Sequence, residues 1–496
     1  MLAKYMVFNK NILILVFILL FAWFSLTFNI TEVPPGINGD EASIGYNAIL
    51  LSQTLHDENG KLLPLFINTL DKRDWKQPIT IYTTALMFKV LGTSFAALRS
   101  VSVLFVVLSL IFLYFISREY FNIKFFVFSS LAFITTPIII IQSHLGLENI
   151  APIPFLFFWL WMIIKFEKTK KFRYPLFSGV ALGIGIFSYY GMRVVIPILT
   201  VLTLVYLKLL FGRNNKQTFK SSIYFLLGVF PFFLILFVSK FFYPGAVVGS
   251  FRPSLTSSYE FLFRYLSIYD LSFLFFKGDV TPYHSTGKYG VLLLATLPLF
   301  FAGVFSILRT KRPFLVLVLL GFVFSPLLYG FIPELYRGSR LLVLIPFYII
   351  IFAVGFLNLL TIRNKITRNS LAIIGLFLIG INHYSFVTDY WFKYPERVSQ
   401  DFSTPIHKAF EIVRSKLEPT TNIYIEDGIY KKENTAIKFF KEIYLPNNDL
   451  IIWERGIEIK RSALLIVNPD ILTLEDKRSL VELSSKFGFY KVYTKK

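Results

Sequence analysis

The sequence predicts a polytopic α-helical membrane protein: about 11 transmembrane helices, outer juxtamembrane helices and a small C-terminal α/β domain. Three observations carry that reading. Apolar residues make up 55% of the chain, Phe (57) is more than twice as common as Gly (27), and the mean hydropathy is +0.61. Uncharged apolar runs of membrane-spanning length recur along most of the chain. Basic residues gather in every second link between those runs, the positive-inside pattern.

The spans are expected near 11–30, 100–117, 125–143, 149–164, 174–192, 194–212, 221–239, 289–308, 313–333, 341–362 and 370–388. The fourth is short and the sixth carries Lys208. The first is too long for a signal-peptide core and lacks a small-residue cleavage site, so it is expected to stay as an anchor. Basic residues cluster at Lys4 and Lys10, Arg118 and Lys124, Lys165 to Arg173, Arg213 to Lys220, Arg309 to Arg312 and Arg363 to Arg368. Only Glu119 and Glu167 are acids among them. A net charge of +21 spread in this way records topology rather than a nucleic-acid footprint, so no nucleic-acid partner is expected. It puts the N-terminus in the cytoplasm of a multi-pass protein of the plasma (inner) membrane, with odd-numbered spans leaving on the outer face.

Two segments of the first outer loop, 31–99, are apolar without being counted as spans. Counting Gln77–Gly92 would move every later basic link outside, so a juxtamembrane or re-entrant helix is predicted there. In Glu41–Leu55, the residues Ile44, Ala48, Leu51 and Leu55 form one apolar stripe at helical spacing, which predicts a helix lying in the membrane interface. The transmembrane domain then runs over 1–388.

From 389 to 496 the polarity is ordinary and no run is long enough to span. Strands are predicted at Asn422–Glu426, Leu450–Trp453, Ala463–Val467 and Phe489–Tyr493, with helices near 400–416, 434–444 and 474–486. Parity makes this α/β domain extracytoplasmic. Cysteine is absent, which leaves no disulfide and no thiolate metal site.

The candidate chemistry lies in the outer loops. Asp40 and Glu41 follow Pro34-Pro35-Gly36-Ile37-Asn38-Gly39, about ten residues beyond the first span. Two carboxylates beside a membrane are costly unless they have a function. Glu148 opens a span on the same side, and Lys76, Arg193, His284 and Arg340 supply basic groups there. Each has a plainer explanation. Asp40 precedes a helix and suits an N-cap. Glu41 and Glu148 suit a first helical turn, Lys76 suits snorkelling, Arg193 and Arg340 suit headgroup anchoring, and His284 suits a solvated loop. Carboxylates leave a divalent cation possible, but no ligand spacing compels one.

With its Gly-Asp-Glu after the first span and Lys76-Gln77-Pro78 before an amphipathic apolar segment, the chain resembles the GT-C membrane glycosyltransferases. The nearest likeness is to the protein O-mannosyltransferase and lipid A aminoarabinose transferase families. The resemblance extends through Ser188-Tyr-Tyr-Gly-Met-Arg193, Phe276-Lys-Gly-Asp279 with His284 and Gly287, and Arg340-Leu-Leu-Val-Leu-Ile-Pro346. It implies transfer of one sugar from a polyprenyl-phosphate donor to an acceptor hydroxyl on the outer face, with inversion. Asp40 would be the general base, Glu41 and Glu148 further acids, and Lys76, Arg193, Arg340 and His284 would hold the donor phosphate. The acceptor, whether protein, lipid or glycan, is left open. The aminoarabinose branch carries an acid directly before the lysine, where this chain has Trp75, with Asp74 one earlier. The alternative class is a polytopic transporter or lipid flippase, which also needs many spans with buried charge.

Overall fold

The computed structural model describes residues 10–72, 74–248, 257–418, 421–483 and 490–495. Lys4, the end of the helix predicted at 474–486 and the start of the strand predicted from Phe489 lie outside the described residues. The chain opens with α1 (Lys10–Thr27) and α2 (Gly39–Thr54). A hairpin of β1 (Ile67–Thr69) and β2 (Asp74–Lys76) follows, and then α3 (Pro78–Leu91) and α4 (Phe95–Tyr120). The bundle continues with α5 (Ile123–Thr135), α6 (Pro137–Ser143), α7 (Pro152–Thr169), α8 (Arg173–Gly185), α9 (Met192–Phe211) and α10 (Asn215–Phe242). Two short helices, α11 (Pro244–Val248) and α12 (Ser258–Ser267), lead to α13 (Leu297–Thr310), α14 (Pro313–Phe324), α15 (Ile345–Leu359) and α16 (Lys365–Phe392).

Among the described residues, 8 helices are long and apolar enough to cross a membrane, or up to 9 if a bent pair counts as one span. The chain is a multi-pass membrane protein. Three of the predicted spans come out shorter or broken. The run 125–143 becomes α5 and α6, which meet at 64°. Pro137 lacks the N–H that would continue the ladder and drives Thr136 out of the helical region, to φ −67, ψ 125. The run 174–192 ends its helix at Gly185, and 289–308 shortens to an apolar helix over Leu294–Thr310. At 1.5 Å per residue, α8 is about 20 Å long against a hydrocarbon core of about 30 Å. The segment left uncounted at 77–92 is α3, whose 14 residues are also too few to cross.

Close helix contacts rest on small residues. A Cβ on Gly179 of α8 would lie 2.2 Å from the Phe225 carbonyl oxygen of α10, and one on Gly228 of α10 would lie 2.1 Å from that of Leu176. Only glycine at both places lets the two backbones touch.

The apolar stripe of the helix predicted to lie in the interface packs against protein. In α2, Ile44, Ala48 and Leu51 are buried, but so are Glu41, Ser43 and Asn47 on other faces, and Leu55 is the exposed left-handed C-cap. The helix is wedged between α3, α4 and the C-terminal domain.

Beyond α16 the domain contains α17 (Tyr394–Arg397), α18 (Thr404–Ser415), β3 (Ile423–Glu426), α19 (Asp427–Lys432), α20 (Asn434–Tyr444), β4 (Leu450–Trp453) and β5 (Leu464–Val467). Then come α21 (Leu474–Ser479), β6 (Leu480–Glu482) and β7 (Lys491–Lys495). The sheet order is β4-β3-β5-β7-β6, with β3 parallel to β4 and β5, and β7 antiparallel to β5 and β6. The central β5 is buried along its whole length, which explains its unbroken Leu-Leu-Ile-Val. The helix predicted to run to 486 stops at Ser479, and an edge strand follows. Helix α20 packs on α2, so the first loop and this domain sit at the same end of the bundle.

Candidate active site

Helix α2 starts with Asn38 as its N-cap, whose Oδ1 accepts the Glu41 N–H at 2.8 Å. The capping role is therefore filled by Asn38, and Asp40 in the first turn is released from it. Asp40 and Ile44, one turn apart on a single face, line a cavity of about 590 Å³. More than half of the Asp40 side-chain surface, 56%, is open, and the cavity is where it opens.

Glu41 lies a further 100° round the helix and does not line that cavity. Its carboxylate is fully buried and paired with the equally buried Arg99, Nε to Oε1 at 2.7 Å and Nη2 to Oε2 at 3.1 Å. Oε1 also accepts the Gly146 N–H at 2.8 Å. Arg99 spends its remaining donors on the carbonyls of Ile30 (2.8 Å), Pro34 (2.9 Å) and Gly36. Glu41, expected among the catalytic acids, is thus placed as the internal anchor of the loop that presents Asp40.

The hairpin supplies the opposing charge. Lys76 Nζ bridges Asp40 Oδ1 at 2.6 Å and Asp74 Oδ2 at 2.5 Å. Attraction from Lys76 holds the Asp40 carboxyl below its ordinary range, against the partial desolvation of a side chain that is recessed in the cavity though open to it. Burial pulls the Lys76 ammonium down, but Asp40 and Asp74 outweigh it and the net direction is up. Pro78 then occupies the first turn of α3, where its missing N–H costs nothing. The Gln77 N–H donates to Glu148 Oε1, which brings the buried Glu148 to the same wall.

Arg193 does not line the cavity. It donates to Gln77 Oε1 at 2.7 Å and to the carbonyls of Ala246 and Val247, and lies over the rings of Tyr190 and Phe66. It braces the Lys76 segment from behind, where a direct phosphate contact had been expected.

Two loops close the other side. Asp279 Oδ1 accepts from the Thr281 N–H (2.8 Å) and hydroxyl (2.6 Å), while Oδ2 accepts the Ser339 N–H at 3.3 Å, tying 279–284 to 338–340. Both His284 and Arg340 thereby line the cavity. Gln142 Nε2 donates to His284 Nδ1 at 2.8 Å, which leaves the ring proton on Nε2. Burial holds the imidazole below its ordinary range although Asp279 and Asp40 pull the other way, which favours the neutral ring. Arg340 pairs through Nη2 with Glu334, and its buried Nη1 has no hydrogen-bond partner among the described residues.

Five predicted residues thus meet at one cavity: Asp40, Lys76, Glu148, His284 and Arg340. Glu41 and Arg193 stand behind it. Sequence reading missed Arg99, because a cation just before an apolar run looks like a headgroup anchor, and missed Gln142, an amide hidden at the end of a predicted span. Among the described residues no three carboxylates or imidazoles converge as metal ligands. Asp40 and Asp74 both already hold Lys76, so the residues present do not form a cage for the divalent cation the sequence left open.

Comparisons with known proteins follow the same line. Residues 76–241 match the profile of the dolichyl-phosphate-mannose-protein mannosyltransferase family. No curated protein sequence matches the chain. The structure is similar to that of ArnT from Cupriavidus metallidurans, with a TM-score of 0.55, 14% identity and 97% of both chains covered. The same protein bound to undecaprenyl phosphate gives 0.53, again at 14% identity and 97% of both chains. AglB, the archaeal oligosaccharyltransferase from Archaeoglobus fulgidus in complex with an inhibitory peptide and a dolichol-phosphate, gives 0.52 at 12% identity, over 86% of this chain and 63% of that one. The chain has the GT-C fold of these membrane glycosyltransferases.

Proposed function

We propose that this protein is a membrane glycosyltransferase that moves one sugar from a polyprenyl-phosphate donor to an acceptor hydroxyl, with inversion, on the outer face of the plasma membrane. The observation that carries the reading is one cavity lined by carboxylates, Asp40 and Glu148 among them, together with Lys76, His284 and Arg340. A guanidinium lining such a cavity suits a phosphate oxygen. Relatives in fold bind undecaprenyl phosphate and dolichol-phosphate, which supports a lipid phosphate as the leaving group.

In the proposed reaction the acceptor oxygen attacks the anomeric carbon while Asp40 takes its proton. The bond from that carbon to the phosphate oxygen breaks, and polyprenyl phosphate leaves with the electron pair. Arg340, Lys76 and the Nε2–H of His284 stabilise the charge that develops on it. Lys76 links the two halves of the site. In the free protein it holds Asp40 ionised. A donor phosphate that draws Lys76 toward itself takes the counterion from Asp40 and makes that carboxylate a stronger base when the substrate is in place.

The test is to give the purified protein a panel of polyprenyl-phosphate sugars with candidate acceptors and to measure released polyprenyl phosphate. Release with every competent pair is expected to depend on the acceptor. Movement of intact lipid-linked sugar across a bilayer without cleavage would support the transporter class instead.

A further inference from the structure

The C-terminal domain touches the acid-bearing segment at two places where only glycine fits. Gly36 is four residues before Asp40 and Gly45 five residues after it. A Cβ on Gly36 would lie 2.1 Å from the Phe402 carbonyl oxygen and 2.9 Å from the Thr404 nitrogen, so the two backbones are in direct contact. A Cβ on Gly45 would lie 2.4 Å from Phe439 Cε2 of α20 and 3.1 Å from Leu98 Cδ2 of α4. The Phe439 ring is boxed in by Phe95 at 6.2 Å and Phe440 at 5.5 Å between centroids, so it has little room to yield.

Polar contacts reinforce both seats. Beside Gly36, His407 Nδ1 lies 3.2 Å from the Pro35 carbonyl oxygen, and His407 Nε2 lies 2.9 Å from the Tyr444 hydroxyl. Beside Gly45, Asn47 Nδ2 donates to Glu58 Oε1 at 2.9 Å, and Lys438 of α20 reaches Glu58 at 4.0 Å. Helical geometry gives these contacts their consequence. Asp40 and Ile44 share the cavity face, while Glu41 and Gly45, also one turn apart, share the face turned to α4 and α20. Pressure on Gly45 therefore moves Asp40 against the rest of the cavity wall.

We propose that the C-terminal domain is a positioning device for the reaction, and that the Gly45–Phe439 contact sets where Asp40 stands relative to Lys76 and the bound donor. The inference rests on the reading of Asp40 as the base. A domain that merely capped the bundle would need no glycine-tight seat on each side of that residue.

The test is a size-swap cycle in the full-length protein: Gly45→Ala, Phe439→Leu and the double variant. Alanine is a better helix former than glycine, so a loss in Gly45→Ala cannot come from weakening α2. The expected result is a fall in kcat of about 10–100-fold with donor KM within about twofold, as for a misplaced reacting group. Phe439→Leu, which removes the wall without adding bulk, is expected to lower kcat by about 3–10-fold, and the double variant to recover most of the loss because the added methyl fills the vacated space. Wild-type kcat in Gly45→Ala, or no recovery in the double variant, overturns the proposal. Amide hydrogen exchange over 36–48 is measured in the same proteins to separate this inference from the transferase reading. Faster exchange in each single variant, reversed in the double, supports positioning even if no donor is turned over. Equal exchange in all of them overturns it.

Discussion

Asp40 and Glu41 are chemically alike and adjacent, yet one faces an open cavity and the other a fully buried arginine. The 100° step of the helix separates their environments, and environment decides their roles. Removing one member of a buried ion pair strands the other, at a cost of about 3–5 kcal/mol. Glu41→Gln is therefore expected to destabilise the folded protein by about that amount, read as a loss of melting temperature in detergent, because Arg99 stays buried without its counterion. A melting temperature equal to wild type would mean that Arg99 finds another acceptor and that Glu41 is not the anchor. Asp40 was legible in the sequence because an acidic pair after a first span is unusual. Arg99 was not, since nothing local distinguishes a snorkelling cation from one folded inward onto three carbonyls.

At the scale of elements, hydropathy found the apolar runs but not where their hydrogen-bond ladders fail. Pro137 and the early stop at Gly185 turn two expected spans into a bent pair and a short helix. Composition counts apolar residues and is blind to a missing N–H. The C-terminal strands were legible to within a residue or two because turn residues bracket each one. The edge strand β6 was missed because Leu480–Glu482 continues a helical pattern. Loop 334–340 shows the same limit at the site. Arg193 and Arg340 both read as candidate phosphate ligands, but only Arg340 lines the cavity. A charged hydrogen bond to phosphate is worth about 1.5–3 kcal/mol, so Arg340→Gln is expected to lower kcat/KM for the donor by about 10–100-fold with little change in melting temperature. Arg193→Gln is expected to cost stability first. Equal kinetic defects at unchanged stability would put Arg193 in direct contact with the donor.

At the scale of the whole molecule, the basic links and the packing of α20 on α2 agree that the first loop and the C-terminal domain share one side. The charge pattern is the ground for expecting that side to be the exterior. Reporter fusions at Thr69 and Glu454 are expected to report the same, outer compartment. Opposite compartments would require an odd number of crossings between them and would make α3 a true span. The expected parity does not depend on the helix lengths, because topology depends on which links carry lysine and arginine. The sequence held no sign that the C-terminal domain presses on α2, since a glycine in a helix announces a close approach without saying to what.

The central claim is that Asp40 accepts the acceptor's proton, and its most direct test is the rate of polyprenyl phosphate release by Asp40→Asn beside wild type. Asparagine keeps the shape and removes the charge. The account predicts a fall of about 10²–10⁴-fold in a protein that still inserts and melts cooperatively. Release at the wild-type rate would contradict it and would shift the role of base to Glu148, a second acid lining the same cavity.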